Sequence, residues 1–213
     1  MTRLCRINPG SPDLSQLETL AADVKNGALI VYPTETFYGL GALYNNLHAL
    51  RRIFTAKDRD AHKPLLLLLP DSTFLPVLAS SVHPEARAVA EHFWPGPLTL
   101  LFKASSRLSS YITAGTGSVG CRVSSNSVAA SLLGSLKLPL TSTSANLAGG
   151  KSPVRIDDIP ASLLDRVDII LDAGETAGGL PSTIIDTTTH PFSVVRDGAL
   201  PCSDIFTALQ SLR

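Results

Sequence analysis

Residues 64–70 read PLLLLLP. Five leucines in a row do not alternate with polar residues, so an extended chain here is apolar on both faces, as in a strand covered on both sides. The sequence around it supplies the cover. Upstream, residues 47–57 have helical spacing, with Leu47, Leu50, Ile53 and Phe54 turned inward. Before them, residues 28–34 (ALIVYPT) read as a buried strand. That strand follows a helix with Ser11 as its cap, Pro12 in its first turn and Gly27 at its end. Leu14, Leu17, Leu20, Ala21 and Val24 form the apolar face of this first helix.

Downstream the alternation continues. Helices are expected at 84–93 and 127–136, with a short one near 161–166 and a last one at 203–212. Strands are expected at 98–104 (LTLLFKA), 118–123 (SVGCRV), 139–143 (PLTST), 168–173 (DIILDA), 182–188 (STIIDTT) and 193–197 (SVVRD). Helices and strands joined by short connections define an α/β fold, here one domain over 1–213 around a twisted mixed sheet. The segment 147–155 (LAGGKSPVR) is loop-like but too short to separate two domains.

Composition narrows the function classes. Lys plus Arg and Asp plus Glu are 18 each, so no global field draws the protein onto nucleic acid or anionic lipid. Three scattered cysteines without CxxC spacing fit a reducing compartment, and no apolar leader or membrane-length run is present. The expectation is a soluble cytoplasmic protein without membrane contact.

Three glycine-rich patterns fail as nucleotide motifs. GTGSVG (115–120) satisfies GxGxxG but runs into a strand, whereas a dinucleotide fingerprint opens a helix. GGKS (149–152) would need its first phosphate-loop glycine at Ala145, and Pro153 follows the serine. GLGALY (39–44) lacks the third glycine. No metal-ligand spacing is present, and the five histidines are scattered, so none is assigned to a metal.

What survives is a recurring design, a strand followed by a polar or cationic cluster. Thr34, Glu35, Thr36 and Tyr38 leave the first strand, and Lys57, Arg59 and Lys63 precede the leucine run. Arg122 sits within a strand, and residues 142–146 (STSAN) follow another, with Lys151 and Ser152 beyond. Ser182, Thr183 and Arg196 come last. Ligands in open α/β sheets lie at strand ends, and Arg and Lys with hydroxyl donors suit a polyphosphate. Taken singly, each cluster also has a structural reading, as a solvated helix end, an internal ion pair or a cap.

In order along the chain, VYPTETFYGLG, AKDRDAHKPL, WPGPLTL, VGCRV, PLTSTSAN, KSP, PSTIID and VVRDG resemble the YrdC family, the threonylcarbamoyl-AMP synthases, over about residues 28–198. The resemblance implies helices around a large open cavity. It implies an enzyme that combines L-threonine, bicarbonate and ATP into threonylcarbamoyl-AMP and pyrophosphate. A separate transferase complex then modifies adenosine 37 of tRNA. It further implies Lys57 and Arg59 as the catalytic cations, and Lys57, Arg59, Ser118 (through its backbone), Ser144, Asn146, Ser152 and Arg196 as ATP contacts. Threonine would be met by Thr34, Thr36, Arg122, Ser142 and Ser182. Mg²⁺ would arrive on the nucleotide, with no protein metal site. Some members place a histidine after the Pro-Leu pair; here Leu65–Leu69 has none, as in the shorter bacterial sites. Two alternatives stand beside this reading: a family branch with another carbamoyl acceptor, and a module that binds double-stranded RNA or tRNA. The aromatic content of 6% gives the second little support.

Overall fold

The computed structural model describes residues 2–60 and 62–211. Among them lie the strands β1 (Arg3–Arg6), β2 (Ile30–Tyr32), β3 (Gly39–Gly41), β4 (Leu66–Leu68), β5 (Ala79–Ser81), β6 (Leu98–Ala104), β7 (Ser118–Arg122), β8 (Leu140–Ser144), β9 (Ile169–Asp172), β10 (Thr183–Asp186) and β11 (Ser193–Arg196). The helices are α1 (Leu14–Lys25), α2 (Leu47–Lys57), α3 (Leu75–Leu78), α4 (Pro84–Phe93), α5 (Ser110–Thr113), α6 (Ser127–Leu136), α7 (Ala161–Leu164) and α8 (Cys202–Ser211). The expected extension of the last helix to residue 212 lies outside the described residues.

The strands form one mixed sheet in the order β1-β9-β2-β3-β8-β4-β7-β6-β10-β11, with β5 added on β6. Parallel pairs (β1/β9, β2/β9, β4/β7, β6/β10) are mixed with antiparallel ones (β2/β3, β3/β8, β4/β8, β6/β7, β10/β11, β5/β6). The leucine run behaves as its pattern predicts. Leu65, Leu67 and Leu69 face one core with Leu50 and Ile53 of α2 and Val89 of α4. Leu68 faces the other, with Leu17, Leu20 and Val24 of α1 and Leu132 and Leu136 of α6. Ile30 and Tyr32 go to the second face and Val31 to the first, so β2 is also covered on both sides.

Three local expectations are corrected. Asp13, not Ser11, caps α1, its carboxylate accepting from the amides of Ser15 and Gln16 at 3.0 and 3.3 Å. Leu14 and Leu47 are exposed, because each opens its helix ahead of the residues that reach the core. The third concerns strands with little β-propensity. β3 is Gly-Leu-Gly, a composition that weakens a strand. Its glycines are required by a close approach: a Cβ on Gly41 would lie 2.6 Å from the Thr141 carbonyl and 2.8 Å from the Tyr32 ring. The Tyr32 hydroxyl donates to that same carbonyl at 3.1 Å. Packing of a ring across bare backbone thus replaces intrinsic preference.

Among the described residues no helix is long and apolar enough to cross a membrane. Cys5, Cys121 and Cys202 are free thiols, and burial pushes Cys121 well above the usual thiol range.

Candidate active site

The polar strand ends converge on one cavity of about 360 Å³, within the size of small-molecule sites. Thr34 and Thr36 line it from the turn that follows β2. The Thr34 hydroxyl accepts the amides of Thr36 and Phe37 at 3.2 Å and donates to the Phe37 carbonyl at 2.7 Å, so it builds the turn that exposes it. Ser142, Thr143 and Ser144 line the cavity from β8, and Gly39 opposite leaves room, since a Cβ there would stand 3.1 Å from the Ser142 hydroxyl oxygen.

Three guanidiniums reach the same space. Arg59 follows α2 through Asp58, which holds the left-handed conformation (φ 48°) that turns the chain. Its Nη2 donates to the Pro64 carbonyl at 3.0 Å. Arg122 ends β7, nearly buried, with Nη1 3.2 Å from the Glu35 carboxylate. Arg196 ends β11, its Nε and Nη2 donating to the Ser182 carbonyl at 2.9 and 2.7 Å and Nη2 also to the Ser182 hydroxyl at 3.1 Å. Burial makes the Arg59 and Arg196 charges less favourable, and Arg122 adds repulsion on Arg196. None of the described lining residues is acidic.

Of the residues expected at the site, Thr34, Thr36, Arg59, Arg122, Ser142, Ser144, Ser152, Ser182 and Arg196 line this cavity. Three do not. Lys57 is buried behind the wall, its ammonium donating to the Ser144 and Asn146 carbonyls and to Asn146 Oδ1. Burial, with a smaller repulsion from Arg59, pushes its pKa down to about 7. Asn146 joins Lys57, Ser144 (hydroxyl to Oδ1, 2.6 Å) and the Gly150 carbonyl, so it braces the turn. Ser118 begins β7 with its hydroxyl 3.0 Å from that of Thr116. The small polar residues of STSAN thus divide the work. Ser142 to Ser144 face the cavity, and Asn146 with Lys57 fixes their backbone.

Sequence reasoning missed Thr99, whose hydroxyl lies 3.0 Å from that of Ser182 on the cavity wall. Its one signal was a lone hydroxyl within the apolar run LTLLFKA. Ser124 was missed as well; it donates to Glu35 and is buried. For Arg122 the ion-pair reading holds, and its side chain also lines the cavity. The GTGSVG stretch does feed a strand rather than a helix, as its context implied.

The histidines prove less scattered than their spacing suggests. His83 and His190 stack with centroids 5.2 Å apart, and Glu85 completes a set with ligand atoms within 4.8 Å of one another. His83 Nδ1 accepts the Glu85 amide at 3.3 Å as the cap of α4, and a helix N-terminus disfavours a cation.

The sheet brings three arginines and a row of hydroxyls to one cavity at its strand ends, an arrangement suited to an anion. The model of the Sua5, YciO and YrdC family, described as "Telomere recombination", matches residues 22–198, and the chain belongs to that family. It is 35% identical to the threonylcarbamoyl-AMP synthase of Pyrococcus abyssi over 93% of this chain and 58% of the relative. It is 31% identical to that of Vibrio parahaemolyticus over 87% of this chain and all of the relative. The solved structure of P. abyssi Sua5 with L-threonine superposes with a TM-score of 0.93 at 34% identity, covering 97% of this chain and 61% of that one. E. coli YciO superposes at 0.84 with 28% identity, over 93% and 97%. The chain thus spans a little over half of the Pyrococcus and Bacillus relatives, at 58% and 54%.

Proposed function

We propose that the cavity binds ATP beside L-threonine and catalyses formation of threonylcarbamoyl-AMP from threonine, bicarbonate and ATP, releasing pyrophosphate. The observation behind this reading is the convergence of Arg59, Arg122 and Arg196 on a wall of serine and threonine hydroxyls. The relatives named as threonylcarbamoyl-AMP synthases supply the substrate class.

In this reading Arg122, Thr34, Thr36, Ser142 and Ser182 take the amino acid, the guanidinium pairing with its carboxylate. Arg59, Arg196, Ser144 and Ser152 take the nucleotide, while Lys57 and Asn146 act from behind the wall. The amine of threonine adds to carbon dioxide and loses a proton to give a carbamate, or condenses with bicarbonate with loss of water. A carbamate oxygen then bonds to the α-phosphorus as the bond to the bridging oxygen breaks, and pyrophosphate leaves with that electron pair. Such a step needs position and charge stabilisation, which fixed guanidiniums supply. Mg²⁺ fits as a passenger of the nucleotide: among the described residues the wall offers hydroxyls but no carboxylate, which suits a cation that keeps phosphate and water oxygens. The cavity walls run from Thr34 to Arg196, which supports reading the chain as one domain. The product would pass, in the cytoplasm, to a transferase complex that modifies tRNA.

The test is pyrophosphate release from ATP by the purified protein, with threonine and bicarbonate omitted in turn. Release that requires both supports the synthase. Release supported by another carbamoyl acceptor and indifferent to threonine overturns it in favour of a different family branch.

A further inference from the structure

We propose that Glu35 is a specificity-determining positioning residue, which commits Arg122 to a carboxylate and leaves the phosphates to Arg59 and Arg196; this rests on the function proposed above. Among the described residues the cavity gathers three lining cations and no lining carboxylate. Left uncompensated, all three would attract the most highly charged anion present, the triphosphate. Glu35 breaks that equivalence. It stands behind Arg122, its Oε1 3.2 Å from Nη1, with side-chain exposures of 11% and 4%. A pair so withdrawn from water interacts far more strongly than a surface pair. The Arg122 corner therefore offers direction for a planar anion with little net charge. Arg59 and Arg196 differ in kind, because they donate to carbonyls and a hydroxyl, which leave their full charge in place.

Glu35 is itself held. Ser124 donates to Oε2 and accepts the Asn126 amide at 3.2 Å, which ties the carboxylate to the start of α6. The Thr34–Phe37 turn fixes its backbone. Arg122 Nε and Glu35 Oε1 are both buried with no hydrogen-bond partner among the described residues, so the pair is held by the proximity of opposite charges.

The experiment measures pyrophosphate release by the wild type, Glu35→Gln, Arg122→Ala and the double variant, with threonine and ATP varied separately. Glu35→Gln is expected to raise the KM for threonine about tenfold, equivalent to about 1.4 kcal/mol. Its KM for ATP stays within about twofold, and in the Arg122→Ala background the same change shifts threonine KM by less than about twofold, since it acts through the arginine. Added pyrophosphate becomes competitive with threonine in Glu35→Gln and does not in the wild type, a readout that simple loosening of the fold would not produce. Ser124→Ala keeps Glu35 but removes one anchor, gives an intermediate rise, and serves if Glu35→Gln does not fold. Unchanged threonine KM in both variants overturns the assignment, as does an equal rise for ATP or a full effect without Arg122. An active wild type with indifferent variants overturns the assignment alone. A wild type that releases no pyrophosphate on addition of threonine overturns the proposed function, and the assignment falls with it.

Discussion

Replacing Lys57 by methionine separates a bracing role from direct contact with phosphate. Methionine fills most of the same space but donates nothing, so the Ser144 and Asn146 carbonyls and Asn146 Oδ1 lose a shared donor. At about 1 kcal/mol net per hydrogen bond, the three together amount to about 3 kcal/mol. Relief from burying an ionisable amine offsets part of this, leaving about 2 kcal/mol of lost stability. For a chain of this size that lowers Tm by about 4–8 °C. Because Ser144 lines the cavity, loosening its backbone is expected to weaken ATP binding about tenfold, or about 1.4 kcal/mol. The assays are thermal unfolding and calorimetric titration with ATP. A variant with unchanged Tm and weakened ATP binding refutes the bracing role and returns Lys57 to the phosphates. A variant unchanged in both measures shows that the turn does not depend on Lys57.

The same residue sets a pH dependence. The folded pKa near 7 lies below the ordinary 10.5, so between these values the unfolded chain holds a proton that the folded one lacks, and this contribution makes stability rise with pH. Lys57→Met is expected to remove that rise, checked by unfolding curves at pH 7 and 10. Arg122→Ala is expected to raise the KM for threonine at least about a hundredfold, as loss of a charge-assisted pair worth about 3 kcal/mol implies, with a much smaller change for ATP; equal changes for both substrates would refute the division of the cavity. Gly198→Ala places a Cβ 2.2 Å from the Pro181 carbonyl and 2.7 Å from the Ser182 backbone, so it should cost about 1–3 kcal/mol by overpacking and displace Ser182 from Arg196. Lower Tm together with weaker binding of ATP and threonine is the expected outcome, and normal binding would refute it.

How legible the molecule was depends on what each residue had to satisfy. The doubly apolar strands β2 and β4 and helices α2, α4 and α6 were readable because burial imposes a period that survives in one sequence. β3 was not, since Gly39 and Gly41 answer to the Tyr32 ring and the β8 backbone, which are neighbours only in space. β1 has three exposed residues of four and takes its order from pairing with β9. At the site, the hydroxyl and guanidinium residues at the strand ends were readable, and they do line one cavity. Which cation faces the cavity and which is buried could not be read from spacing: Lys57 and Arg59 are two positions apart on one helix end and have opposite fates.

Those fates follow from the partners each cation meets. Three oxygens surround the Lys57 amine, enough to satisfy every N–H of an ammonium, so it has no donor left for a ligand. A guanidinium has five donors in a planar fork, and carbonyls at one edge leave the other edge available. Arg59 and Arg196 are held in this way by Pro64 and Ser182, fixed in direction while still charged toward the cavity. Arg122 meets a carboxylate instead, which holds it and offsets its charge. Replacing Arg59 by lysine would test the rule at the cation nearest Lys57. A lysine ammonium offers three donors from one atom, so bonding to the Pro64 carbonyl draws its charge away from the phosphates. Binding of ATP should then fall nearly as far as with alanine, whereas near-normal binding would show that charge alone, without the fork, is what this position supplies.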